Sequence, residues 1–176
     1  ALGVTSEVAR LTEAERAQAL DAVLKAAAGR VPIVAGTTAE GLHTCLELSR
    51  QAKAAGAAAL MISPPRAPKL NSDAVVAHYR AVADAVGLPI VVQDHPASSG
   101  VYMSVDLLAT IAERAPSCRV VKLEEEPSPP KVGRFLALRP DVRILGGLGA
   151  IMLLEELRRG AVGTMTGFGF PELLVE

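Results

Sequence analysis

Two hydrophobic rhythms alternate along the chain. Short, mostly apolar runs rich in Val, Ile and Ala occupy residues 31–35, 57–62, 88–92, 119–123, 142–145 and 161–165. Such runs read as strands buried on both faces. Between them lie longer segments with apolar residues three and four apart, the helical spacing, at residues 13–28, 39–55, 72–86, 105–114, 131–138 and 151–159. The helical reading has its own punctuation. Thr12 and Glu15 form a capping-box pair, Asn71 precedes the third helix, and Gly29, Gly56 and Gly87 stand where the first three should stop. Leu20, Val23, Leu24 and Ala27 make the apolar stripe of the first helix. Residues 1–4 read as the end of a further strand. The pattern therefore predicts seven strands and six helices in strict alternation.

Buried strands alternating with helices imply a parallel sheet, closed as a (β/α)8 TIM barrel or open and doubly wound. No strand is followed by GxGxxG, so an open dinucleotide-binding sheet has no support. A barrel usually needs about 250 residues and eight strands; this chain has 176 residues. The expected fold is thus one domain over residues 1–176, an incomplete barrel lacking its first strand and C-terminal helices. An open seam should lie between the strand at Ala1 and the strand at Ala161. The chain opens at Ala1 in an apolar segment without methionine, from which we expect the true N-terminus to lie upstream.

Composition narrows the function. The net charge is −1 and aromatics are 3%, which gives neither the basic surface nor the stacking residues of a nucleic-acid binder. No run is long enough to span a membrane and no signal peptide is visible. Cys45 and Cys118 stand alone, outside any CxxC or metal spacing, and read as buried free thiols in a reducing cytoplasm.

Barrel chemistry sits at the carboxyl ends of the strands. Those ends carry Thr5-Ser-Glu7, Gly36-Thr-Thr38, Ser63-Pro-Pro65, Gln93-Asp-His95, Lys122-Leu-Glu124, Gly146-Gly147 and Thr166-Gly167. Lys122 stands within the apolar run Arg119-Val-Val-Lys-Leu123. Val120, Lys122 and Glu124 share one face of that strand. Desolvation favours the neutral amine, the form that attacks carbonyls, whereas a snorkelling lysine reaches water instead. Glu124 serves as an acid or base, pairs with Lys122, or lies at the rim in water. Gly146, Gly147 and Gly167 offer backbone N–H groups to a phosphate or simply leave room for substrate; no basic residue nearby in sequence supports the former. His43 and His78 fall within helices and read as surface or packing residues.

Several of these stretches together resemble the dihydrodipicolinate synthase/N-acetylneuraminate lyase family. Gly3-Val-Thr-Ser-Glu7 with Leu11-Thr-Glu-Ala-Glu-Arg16 is similar to its G-x-T-G-E…L-T-x-x-E-R segment. Val34-Ala-Gly-Thr37 resembles its third strand, and Leu88-Pro-Ile-Val-Val92 with Pro96, Gly100 and Val101 its fifth. Val120-Val-Lys122 falls at its Schiff-base lysine, and Gly163, Gly167, Phe170 and Pro171 resemble its eighth strand.

The resemblance implies a cofactor-free, metal-free lyase or hydro-lyase of the class I aldolase type, acting on pyruvate or another 2-oxo acid, and a cytoplasmic homotetramer. It implies Lys122 as the nucleophile, with Glu124 beside it. Thr5, Ser6, Thr37, Gln93, Gly147 and Gly167 would line the substrate site, Thr5 and Ser6 in the carboxylate loop. The chain also departs from the pattern. Gln93-Asp-His-Pro96 stands where the family has Tyr-Asn-x-Pro, so the phenol that shuttles protons is replaced by an amide that cannot. Ser98 stands where dihydrodipicolinate synthases carry an arginine, and Pro65 and Arg66 stand at a tyrosine pair. These changes point away from dihydrodipicolinate synthesis itself. Two other readings remain: a metal-dependent pyruvate aldolase using Glu7, Asp94 and His95 with Glu124, and a non-catalytic barrel that binds a 2-oxo acid.

Overall fold

The computed structural model describes residues 1–67, 71–167 and 169–175. Helix α1 spans Glu13–Ala27, followed by β1 (Val34–Gly36), α2 (Leu42–Ala55), β2 (Ala59–Ile62), α3 (Ser72–Val86) and β3 (Ile90–Asp94). A four-residue α4 (Pro96–Ser99) intervenes before α5 (Val105–Arg114), β4 (Val120–Leu123), α6 (Ser128–Leu138), β5 (Arg143–Gly146), α7 (Leu153–Leu157) and β6 (Gly163–Thr164). The strands form one six-stranded sheet in sequence order, every neighbouring pair parallel. This is the incomplete (β/α)8 barrel that the alternation implies, curled with its helices on one face.

The punctuation behaves as its chemistry requires. The Thr12 hydroxyl accepts the Glu15 N–H while the Glu15 carboxylate accepts the Thr12 N–H. The Asn71 side chain accepts the Ala74 N–H, an N-cap worth about 1 kcal/mol. Gly56 and Gly87 close their helices in the left-handed conformation. Prolines shorten the strands: β1 begins after Pro32 and β3 after Pro89, because a proline has no N–H to donate to a ladder.

Among the described residues six strands form rather than seven. Residues 1–4 make only a fragment of ladder, in which the Ala1 ammonium donates to the Val34 carbonyl and the Gly36 N–H donates to the Ala1 carbonyl. The chain then turns away through a 3-10 turn at Val4–Ser6. Among the described residues the sheet has two free flanks, at this fragment and at β6, which is the expected seam. Near β6, Ile151, Leu154, Val162 and Leu173 are exposed.

The core lies between sheet and helices. Ala35, Leu60, Ile62, Ile90, Val92, Val121, Leu123 and Ile144 point outward from the sheet into it, against Val75, Tyr79, Val82, Leu108, Ile111, Val132 and Phe135 of α3, α5 and α6. Each such aliphatic side chain contributes about 1.5–3 kcal/mol by leaving water. Tyr79 is wholly buried and donates to the Ile62 carbonyl, and its burial holds the phenol well above the ordinary range. His78 is buried beside it and His43 is exposed, as expected of packing and surface residues. Cys45 and Cys118 are free and buried. The α1 stripe is only half used: Leu20 is buried and Leu24 packs against the core, but Val23 is exposed.

At the end of β5, a Cβ on Gly146 would collide with the carboxylate of Glu156, which is buried and accepts the Ser128 hydroxyl at 2.5 Å. Gly146→Ala is therefore expected to lower stability by about 1–3 kcal/mol, the usual cost of overpacking. Urea unfolding checks this through a lower midpoint at unchanged slope.

Candidate active site

Parallel register brings the site together. Gln93 of β3 lies directly beside Lys122 of β4. Strand alternation turns Val121 and Leu123 into the helix layer, so Lys122 and Glu124 project from the opposite face. The Glu124 N–H continues the ladder onto the Asp94 carbonyl at 2.8 Å, which fixes the residue just past the strand.

The Lys122 ammonium nitrogen lies 3.0 Å from Glu124 Oε1, with side-chain exposures of 12% and 7%. Of the three options for Glu124, the structure takes pairing, away from the rim. Its other oxygen, Oε2, accepts the Gln93 amide N–H at 2.9 Å. Gln93 is oriented in turn, because its Oε1 accepts the Ser63 hydroxyl at 3.2 Å. The Ser63 N–H donates to the Thr38 hydroxyl. Serine, amide, carboxylate and amine thus run in one continuous chain across β2, β3 and β4.

This chain faces a cavity of about 170 Å³ lined by Lys122, Glu124, Gln93, His95, Leu148 and Gly167, and by Gly3 and Val4 of the N-terminal turn. A wider cleft of about 680 Å³ shares Gly3, Val4 and Gln93 with it and continues past Thr38, Ser63, Ser98 and Arg66. Gly147 supports the site from below: a Cβ there would collide with the Glu124 carboxylate. Gly147→Ala is expected to displace that carboxylate and lower stability by about 1–3 kcal/mol. A lower urea midpoint at unchanged slope checks this.

Lys122, Glu124, Gln93, Gly147 and Gly167 therefore lie close together. Two expected residues do not join them. Thr37 is buried and turned outward, its hydroxyl accepting that of Ser49 on α2 at 2.9 Å; Thr38, one residue on, takes the cleft position. Ser6 is exposed and its hydroxyl donates to the Gly3 carbonyl within its own turn. The Thr5 side chain lies outside the described residues. Residues the sequence reading left unassigned are Ser63, Thr38 and Lys131. Ser63 and Thr38 both had a signal in their strand-end positions.

The metal-binding set of Glu7, Asp94, His95 and Glu124 does not assemble. Asp94 follows Gln93 and so faces the opposite way. Its carboxylate is buried 2.6 Å from the Lys131 ammonium on α6. Burial raises its pKa, and Lys131 counters that rise. Glu7 is exposed and pairs with Arg10. No group of three metal-ligating side chains occurs among the described residues. Nor is any helix among them long and apolar enough to cross a membrane.

The family model described as the dihydrodipicolinate synthetase family matches residues 1–167. L-2-keto-3-deoxyarabonate dehydratase of Azospirillum brasilense is 35% identical over 95% of this chain and 55% of its own length. The 4-hydroxy-tetrahydrodipicolinate synthase of Staphylococcus carnosus is 38% identical over 63% of this chain and 38% of its own. The chain thus spans about half the length of the curated relatives it matches. Among solved structures, dihydrodipicolinate synthase from Acinetobacter baumannii, complexed with pyruvate, superposes with a TM-score of 0.91 at 28% identity, over 98% of this chain and 60% of that one.

Proposed function

The chain belongs to the dihydrodipicolinate synthetase family, and on that premise we propose that it is a lyase that binds a hydroxylated 2-oxo acid as a Schiff base on Lys122 and eliminates water from it. The observation that carries this reading is the contact of Lys122 with a buried carboxylate, Glu124, on the wall of a cavity of about 170 Å³. An amine attacks a ketone only after giving up its proton, and Glu124 at 3.0 Å is placed to take it.

The steps balance with these two residues. The Lys122 nitrogen adds to C2 of the substrate, the carbinolamine loses water, and a protonated imine remains. That cation withdraws electrons from C3, whose C–H bond breaks with the proton passing to Glu124. The resulting enamine expels the C4 hydroxyl, and Glu124 returns its proton to the departing oxygen as water. Hydrolysis of the imine then releases the dehydrated 2-oxo acid and the amine. One carboxyl carries one proton over a short path, so elimination does not need a phenolic relay at Gln93.

The same economy argues against condensation of the dihydrodipicolinate type, which the family runs with a tyrosine and an arginine at the positions of Gln93 and Ser98. A five- or six-carbon 2-keto-3-deoxy sugar acid suits the site, because Thr38, Ser63, Gln93 and Ser98 line the cleft with hydroxyl and amide groups. The name of the Azospirillum relative supports that class. The substrate carboxylate is assigned to the turn at Gly3 and Val4, which borders the cavity.

Mass spectrometry after incubation with pyruvate and borohydride tests the reading: one reduced adduct on Lys122 is expected. An unmodified mass, under conditions that label a known Schiff-base aldolase, would leave a non-catalytic binding protein as the better description. By resemblance to the family the protein is assigned to the cytoplasm as a homotetramer; a monomer mass by light scattering would remove the tetramer, and fractionation tests the compartment.

A further inference from the structure

We propose that Lys131 is a positioning residue for proton transfer: its buried ammonium grips Asp94, whose carbonyl binds the Glu124 N–H, and Glu125, which follows Glu124, and so holds that carboxylate at Lys122 without touching substrate. The inference rests on the proposed Schiff-base function.

Lys131 stands on α6 and is 4% exposed. Its ammonium donates to Asp94 Oδ2 at 2.6 Å, to the Met103 carbonyl at 2.6 Å and to Glu125 Oε2 at 2.5 Å. Three segments of chain therefore meet on one buried cation. Burying a lysine is costly, and an apolar residue of the same size would pack a helix onto a sheet at least as well. The charge calls for a local reason, and the backbone supplies one. Glu124 is bound at its N–H by the Asp94 carbonyl and is followed directly by Glu125. By holding the side chains of Asp94 and Glu125 together, Lys131 clamps the peptide from which Glu124 projects into the cavity.

Charge reinforces the geometry. Asp94, Glu124 and Glu125 bring three carboxyl groups close together, and Asp94 is raised by burial and, less strongly, by Glu125 and Glu124. The cations that answer them are Lys131 and Lys122. His95 lines the same cavity as Lys122. Without Lys131, the cation in contact with this cluster would be the nucleophile itself. Asp94 Oδ1 has no hydrogen-bond partner, so no other group stands ready to replace the lost contact.

Two reactions of pyruvate separate positioning from folding. Borohydride trapping reads imine formation at Lys122. Exchange of the pyruvate methyl protons in deuterium oxide, followed by NMR, reads the proton transfer assigned to Glu124. Both are normalised to folded protein by circular dichroism. Lys131→Met tests the clamp, and the double variant Asp94→Asn/Lys131→Met removes both buried charges so that folding is kept. We expect trapping at the wild-type level with exchange slowed by about tenfold or more, and partial recovery in Lys131→Arg. Exchange at the wild-type rate, or equal loss of trapping and exchange, overturns the inference and leaves Lys131 structural. If the wild-type protein itself is neither trapped nor exchanges, the Schiff-base reading falls and this inference with it.

Discussion

Lys122→Ala protein incubated with pyruvate and borohydride is expected to keep its unmodified mass, and the proposed lyase activity to fall to background. Substitution removes the nitrogen that forms the covalent bond, so no partial effect is expected. Among the described residues the surroundings offer no substitute. Lys131 is the other buried lysine near the site, and its ammonium is held by three oxygens on the helix side of the sheet, facing away from the cavity. Lys53 is tied to the Val86 carbonyl at the far end of α2. A reduced adduct that persisted in the variant and mapped to any residue would show that the cavity at Lys122 is not where the ketone binds. Loss of the adduct together with loss of the fold would be uninformative, but alanine leaves the apolar strand β4 intact and lifts a buried charge. Folding should survive, with Glu124 still bonded to Gln93.

Glu124→Gln has a different signature. The amide keeps the size of the side chain and an oxygen that can still accept from Gln93, but it cannot take a proton from carbon. Imine formation should slow, because the amine loses the acceptor of its proton, but the reduced adduct should still be trapped on long incubation. Turnover should drop by about a hundredfold or more, the range in which a positioned general acid–base contributes. Single-turnover kinetics distinguishes the outcomes, because the imine should accumulate in the variant. Turnover close to wild type would assign the proton to a water or to the substrate carboxylate, and would reduce Glu124 to a partner that sets the charge of Lys122.

Much of this was readable from residue order, and what was not has a common cause. Caps and stops are local, so α1, α3 and α5 begin where Thr12, Asn71 and Ser104 accept N–H groups three residues on. The pairing of Gln93 with Lys122 follows once the strands are taken as parallel and in order, since both stand near strand ends on the same face. Thr37 failed because alternation decides the outcome and a strand end blurs its parity; one residue separates the helix-facing Thr37 from the cleft-facing Thr38. The short α4 has too few residues for a period to show. Lys131 was read as the start of a helix. Its partners, Asp94 and Met103, lie 37 and 28 positions away, beyond any local pattern. The metal reading failed for the same reason as Thr37: consecutive residues such as Gln93 and Asp94 belong to opposite faces of one strand.

The two oxygens of Glu124 are not equivalent, and this has a stereochemical consequence. Oε2 is anchored by an amide that is itself oriented by Ser63, so the carboxyl group has little freedom to turn. Oε1, which lies beside Lys122 and also accepts the Leu148 N–H at 3.4 Å, is the oxygen placed to exchange protons with the substrate. A base fixed on one side of a planar enamine must collect the C3 proton and deliver it to the departing C4 oxygen on that same face. The elimination is therefore expected to be syn and suprafacial, with a single one of the two C3 hydrogens lost. Substrate deuterated stereospecifically at C3 would reveal this: one epimer should lose its label completely and the other retain it, whereas mixed products would mean that protons reach the enamine from both faces.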